Sequence, residues 1–98
     1  MPKAYFVAVR TAPVHDQERF DRYAVESRKA LAGHELKALA VYGKLRSTDG
    51  PETDGVVIVE YPSFEAAEKW YDSPEYQNAL ADRLASAEYR TFIVEGRD

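Results

Sequence analysis

The segment Val56-Val57-Ile58-Val59-Glu60-Tyr61 restricts the fold more than any other part of the chain. It is short, rich in β-branched residues and preceded by turn formers, which makes it a strand. Side chains alternate between the two faces of a sheet, so Val56 and Ile58 point one way and Val57, Val59 and Tyr61 the other. Both faces are apolar. Ala4 to Val9 repeats the pattern, with Phe6 and Ala8 set against Tyr5, Val7 and Val9. An antiparallel sheet with one wet face alternates apolar with polar residues. A sheet built on these two strands therefore needs cover on both sides.

The rest of the chain supplies cover for one side. Thr11-Ala12-Pro13 breaks the first strand, Asp16 stands as an N-cap, and Glu18 in the first turn suits the helix dipole. Phe20, Tyr23, Ala24, Ser27, Ala30 and Leu31 then recur on one helical face, with Gly33 expected as the C′ residue. Lys37 to Tyr42 reads as the second strand, and Ser47 to Gly55 is a loop of turn formers. Val56 to Tyr61 is the third strand. A second helix starts at Pro62-Ser63, capped by Ser63, with Phe64, Ala67 and Tyr71 facing inward and Trp70 beside them. Ser73-Pro74-Glu75 repeats the start signal of cap, Pro at N1 and acid, so the helical region kinks there and runs to about Ala85. Tyr89 to Glu95 is the last strand, and Gly96-Arg97-Asp98 a short tail. The loop is too short for a linker, so residues 1–98 read as one domain.

The order is β-α-β-β-α-β, the split βαβ arrangement of an α+β, ferredoxin-like fold with a four-stranded antiparallel sheet. Its helices lie on one face. The chain has nothing left to cover the other, and a second copy packed sheet to sheet is the simplest cover. A homodimer is thus expected, with an obligate interface of at least ~2,000 Å².

Size argues the same way. A chain of 98 residues buries only roughly 60–65% of the surface its unfolded form exposes, and much of its apolar mass is seven tyrosines. The net charge of −4, with basic residues interleaved with acids as in Glu18-Arg19 and Asp82-Arg83, disfavours nucleic acid as a partner. The absence of cysteine excludes disulfides, thiolate catalysis and cysteine-based metal centres. No apolar run approaches the ~20 residues of a membrane span. The start, Met1-Pro2-Lys3-Ala4-Tyr5, lacks a signal-peptide core, so a cytoplasmic location and no membrane association are expected. With no glycine-rich phosphate loop and no Lys-Ser or Lys-Thr pair in the Ser47–Gly55 loop, no nucleotide or other cofactor is expected.

Glu60-Tyr61-Pro62-Ser63-Phe64-Glu65-Ala66-Ala67-Glu68-Lys69-Trp70-Tyr71-Asp72-Ser73-Pro74-Glu75-Tyr76 resembles the family called domain of unknown function 1330, within the dimeric α/β-barrel superfamily. The likeness continues through Arg83 to Val94-Glu95-Gly96, and at the front Tyr5, Asp16 and the Tyr23 face also fit. The resemblance implies a ferredoxin-like protomer and a homodimer whose sheets face each other, and it carries no reaction. In one place the chain departs from the pattern. Where relatives tend to read Arg-Gly-Gly at the end of the second strand, it has Val41-Tyr42-Gly43.

No catalytic constellation stands out. Ser73 is explained by capping, and no histidine lies near it in sequence to serve as its base. His15 and His34 sit at opposite ends of the first helix, ~25 Å apart, too far to share a metal, so no metal site is expected. His34 suits a charge–dipole contact at the helix end, with a general base as the sharper alternative. Arg10, Glu60 and Arg83 are the charged residues expected at strand ends or facing the cavity; for Arg83, amid Asp82 and Glu88, an exposed ion pair is the preferred reading. Glu60 ends an apolar strand and either projects into an enclosed space, where burial would raise its pKa, or marks the polar strand end. Trp70 and Tyr76 read first as packing residues. If there is a site, it is an apolar box with polar tips between helices and sheet, near Tyr5, Tyr23, His34, Tyr42, Glu60 and Trp70. Three functions fit: a dimer binding a small apolar or aromatic molecule, a cofactor-independent acid–base enzyme of monooxygenase or isomerase type, and a structural or partner-binding module.

Overall fold

The two strands that are apolar on both sides take the centre of the sheet. The computed structural model describes residues 2–97; Met1 of the opening segment and Asp98 of the expected tail lie outside the described residues. The elements are β1 (Ala4–Arg10), α1 (Gln17–Lys29), β2 (Lys37–Val41), β3 (Gly55–Tyr61), α2 (Phe64–Tyr71), α3 (Pro74–Ser86) and β4 (Tyr89–Glu95). The sheet runs β2-β3-β1-β4 with every neighbouring pair antiparallel, the ferredoxin-like order expected from the sequence. No helix among the described residues is long and apolar enough to cross a membrane.

Register assigns each strand residue a face. Phe6 pairs with Val59 on one side and Ile93 on the other, while Tyr5 pairs with Glu60 and Val94, and Val7 with Ile58 and Phe92. Ala4, Phe6 and Ala8 are buried beneath the helices, and Tyr5, Val7 and Val9 on the opposite face are only half-buried. On that face Phe92 and Val94 are 47% and 46% exposed. The Cα framework spans 38 × 33 × 17 Å, a slab two layers thick. Its radius of gyration of 13.6 Å exceeds the roughly 12.6 Å of a rounded domain this size. The chain covers one face of its sheet and leaves an apolar one open.

All three helices start on their expected caps. The side chains of Asp16, Ser63 and Ser73 accept hydrogen bonds from the backbone N–H groups of Arg19, Ala66 and Tyr76. The kink read at Ser73 is a full break between α2 and α3, because Pro74 has no N–H to continue the ladder. The first helix ends earlier than expected, at Lys29 with Ala30 as cap; Gly33, at φ 83°, belongs to the turn beyond it. No residue of α1 is fully buried, and Leu31, expected on its inner face, is exposed. The helix packs mainly against α3 rather than down onto the strands.

β2 also ends one residue early. A bulge at Leu39 shifts its register against β3, and Tyr42 leaves the strand with φ 51°. That left-handed region favours glycine and costs a residue with a Cβ about 1–3 kcal/mol. Tyr42 thus stands strained at the middle position of the Arg-Gly-Gly pattern. Across from it, a Cβ on Gly55 would lie 2.7 Å from the Tyr42 ring, so glycine at 55 makes room for that ring.

Candidate functional site

Between α2, α3 and the sheet lies a layer of aromatic rings. Trp70 of α2 meets Phe6 edge-on at 5.0 Å between centroids, Tyr61 at 5.3 Å and Tyr76 of α3 at 4.3 Å. Ala67 and Trp70 recur on one face of α2, as do Tyr76, Ala79, Arg83 and Ser86 of α3, so both helices turn these residues inward. Trp70 is 4% exposed and Tyr61 and Tyr76 1% each. The layer is not chemically complete. The Trp70 Nε1 and the Tyr61 hydroxyl are closed off from solvent with no hydrogen-bond partner among the described residues. Each such orphan costs about 1–3 kcal/mol.

A chain of polar tips runs beside the rings. The Tyr23 and Tyr76 hydroxyls lie 2.9 Å apart, and Arg83 Nη1 donates to Tyr76 at 3.1 Å. The Arg83 guanidinium sits 5.4 Å from the Tyr89 ring centroid, and the Tyr89 hydroxyl bonds that of Tyr42. Arg10 lies 4.7 Å from the Tyr42 ring and 5.4 Å from Phe20, and its Nε donates to Asp54 at 2.7 Å.

Arg83 is the exceptional member. The expectation of an exposed ion pair is wrong: the residue is 4% exposed, and no carboxylate among the described residues lies within 4.0 Å of it. Adjacent helical residues point about 100° apart, so Asp82 reaches Arg19 and Arg22 of α1 while Arg83 faces inward. Its Nε has no partner. Desolvating a charge costs several kcal/mol, whereas a cation–π contact returns about 2 kcal/mol even when dry. The protein alone leaves this cation under-compensated.

Tyr23, Tyr42, Tyr61 and Tyr76 are held in the protonated form. Burial pushes the hydroxyl pKa of Tyr76, Tyr42 and Tyr61 far above the ordinary tyrosine value, reinforced for Tyr76 and Tyr61 by Tyr23 and for Tyr42 by its bond to Tyr89; burial also raises Tyr23. A raised folded-state pKa favours the fold fully below the unfolded value of about 10, and that contribution is lost as pH climbs through and beyond it. The denaturant midpoint should therefore fall steeply above about pH 10, with tyrosinate absorbance appearing together with unfolding. Normal tyrosine titration on an intact fold would contradict this.

The six residues expected around one cavity do not share it. Tyr23 and Trp70 belong to the aromatic layer, and Tyr42 stands at its rim beside Tyr89. Tyr5 and Glu60 are on the other face of the sheet, because strand parity sets them opposite Phe6 and Tyr61. There the Tyr5 hydroxyl donates to Glu60 at 3.4 Å, and Lys3 lies 3.5 Å from the same carboxylate. His34 lies in the turn after α1, its N–H donating to the Leu31 carbonyl, and nothing joins its ring to the layer among the described residues. Sequence reading left Tyr61 and Tyr89 out of the site and, having weighed a cavity-facing Arg83, preferred to leave it in an exposed ion pair. The spacing of Arg83 from Tyr76, seven residues on one helix, carried a signal for it.

Two surface grooves lie near the layer. One of about 260 Å³ is lined by Lys3, Glu35, Leu36, Lys37, Glu60, Tyr61 and Pro62, and so abuts the orphaned Tyr61. Another of about 320 Å³ lies between α2 and β4, beside Phe6, Tyr71 and Phe92. Neither reaches Arg83, whose environment is closed in this state.

Known structures share this architecture. A protein of unknown function from Rhodopseudomonas palustris is similar with a TM-score of 0.73 and 20% identity, over 99% of this chain and 84% of that one. SnoaB, a cofactor-independent oxygenase from Streptomyces nogalater, is similar at 0.65 and 14%, over 100% and 96%. A dimeric protein of unknown function with a ferredoxin-like fold from Bacteroides fragilis is similar at 0.56 and 12%, over 96% of each chain. At these identities the likeness is one of fold. No curated protein matches the sequence. The family assignment rests instead on the sequence itself, whose residues 3–97 match one family's model across the aromatic helices and all four strands: the chain belongs to the family Domain of unknown function (DUF1330).

Proposed function

We propose that the protein is a homodimer, joined through the open sheet faces, in which each protomer holds a small molecule with an aromatic body between its helices and its sheet. One observation carries the ligand reading: the Tyr61 hydroxyl and Trp70 Nε1, buried among rings, have no partner within the protein. A guest with a polar group would satisfy them, and its ring would stack where Trp70, Tyr61 and Tyr76 already form a platform. A groove of about 260 Å³ is lined in part by Tyr61. The dimer reading is supported by the apolar face of β1, β3 and β4, and the similar Bacteroides fragilis protein is dimeric.

The competing reading is acid–base catalysis without a cofactor; the similar SnoaB is a cofactor-independent oxygenase. It requires a group in the layer that exchanges a proton near neutral pH. Tyr23, Tyr42, Tyr61 and Tyr76 are all pushed away from that range, and Glu60 stands on the opposite sheet face. Binding is the better-supported function.

A thermal-shift panel of indole, naphthol, phenylacetate, hydrocinnamate and medium-chain fatty acids tests this. A ligand at a hundred times its Kd adds about 2.7 kcal/mol, which for a domain this size raises the melting temperature by roughly 10 °C or more. Quenching or shifting of Trp70 fluorescence, the sole tryptophan, should accompany it. A panel that leaves both melting temperature and fluorescence unchanged would refute the ligand reading.

A further inference from the structure

We infer that the groove between α2 and β4 is a second binding site, separate from the orphaned Tyr61 and Trp70 atoms, and that it takes a small organic monocation with an apolar body, of the arylalkylamine class. The groove has a volume of about 320 Å³, within the ordinary range of small-molecule sites. Phe64, Glu68 and Tyr71 recur on one face of α2 and form one wall. Phe6, Thr91 and Ile93 form the other: Phe6 and Ile93 are register partners, and strand parity puts Thr91 on their side of the sheet. β4 is the outermost strand, so no further strand among the described residues closes the groove from the side. Of the lining residues only Phe92 belongs to the open sheet face, so sheet-to-sheet association leaves the rest of the groove uncovered.

Charge selects the ligand. Glu68 is the one charged residue lining the groove, and it takes part in none of the ion pairs formed among the described residues. It lies in the last turn of α2, where the helix dipole is negative and a cation is favoured. The basic residues nearest in sequence do not line the groove. Lys69, next along α2, points about 100° away from Glu68, and Arg90 pairs with Val9 on the opposite sheet face. The remaining lining is aromatic or aliphatic except for Thr91 and the Tyr71 hydroxyl. An anionic ligand would meet Glu68 with no lining cation to offset the repulsion. An ammonium pairs with that carboxylate while its apolar body lies along Phe64, Tyr71 and Ile93.

Phenethylammonium, phenethyl alcohol and hydrocinnamate share an aromatic body and differ in charge, so they test the assignment on the wild-type protein. Each is titrated at neutral pH and followed by the backbone amide NMR shifts of Glu68, Thr91 and Ile93, with Trp70 fluorescence recorded in parallel. The ammonium should bind tighter than the alcohol by about 3- to 30-fold, the combined effect of an exposed ion pair and a helix-end dipole, and the acid should bind weakest at these amides. Glu68→Gln, a change at an exposed position, should bring the ammonium down to the affinity of the alcohol. Equal affinity of ammonium and alcohol for the wild-type groove overturns the inference, as does a preference for the ammonium that survives Glu68→Gln. No shift of the groove amides at millimolar ammonium overturns it as well. Ligands that change Trp70 fluorescence without moving those amides would leave the aromatic-layer reading standing and this one refuted. Ammonium binding at the groove, in a protein whose Trp70 answers to no ligand, would do the reverse.

Discussion

Trp70→Ala is expected to lower the unfolding free energy by about 3–5 kcal/mol. The indole is buried and touches Phe6, Tyr61, Tyr71 and Tyr76, so its removal empties the middle of the helix–sheet layer. Rings held edge-on and tilted at these distances lose about 0.5–1.5 kcal/mol per pair beyond area burial. The orphaned Nε1 works in the opposite direction, since deleting it removes an unsatisfied donor. Trp70→Phe, which keeps a ring and drops that donor, should therefore cost clearly less than Trp70→Ala. Against a total stability of about 5–15 kcal/mol, the alanine variant should melt more than about 10 °C below wild type. A denaturation midpoint that barely moves would place Trp70 outside the load it is assigned here.

Ile58→Lys should convert a dimer into a monomer. Ile58 is at the centre of the open face, paired with Val7 of β1 and Ala40 of β2, with Phe92 of β4 one strand beyond Val7. Sheet-to-sheet association would bury this position in both copies at once, and two desolvated ammonium groups without partners cost several kcal/mol each. Every 1.4 kcal/mol is tenfold in dissociation constant, so weakening of well over about 100-fold is expected. Equilibrium sedimentation at micromolar concentration should give twice the 11.1 kDa chain mass for wild type and the single-chain mass for the variant. A wild-type protein that sediments as one chain, or a lysine variant that stays dimeric, would remove the open face as the interface.

Local chemistry made most of the fold readable in the sequence. Asp16, Ser63 and Ser73 cap their helices because a side-chain oxygen next to free N–H groups acts within four residues. The two strands with apolar residues on both faces had to be central, and they are. The end of α1 and the turn at Tyr42 were less legible. Gly33 is a good helix terminator by itself, yet the helix unwinds earlier, and nothing local predicts a tyrosine at φ 51°. Its hydroxyl bond to Tyr89, forty-seven residues away, and its stack on Arg10 hold it there.

The candidate site divides along the same line. Tyr23 and Trp70 were legible because helical periodicity says which face is inward. Tyr5 and Glu60 were assigned to the wrong side of the sheet, since two-sided apolar strands remove the alternation that would tell one face from the other. Only the packing of α2 and α3 onto the Phe6 face decided between them. Arg83 shows the limit most clearly: in sequence it has acids on either side of it, Asp82 and Glu88, while in space those acids are out of reach and three tyrosines surround it. The sequence by itself determined the elements, their caps and the need for a second cover, all set by interactions a few residues in range. Which polar atoms end up buried without partners was decided by the tertiary structure, because desolvation depends on what other segments bring into contact.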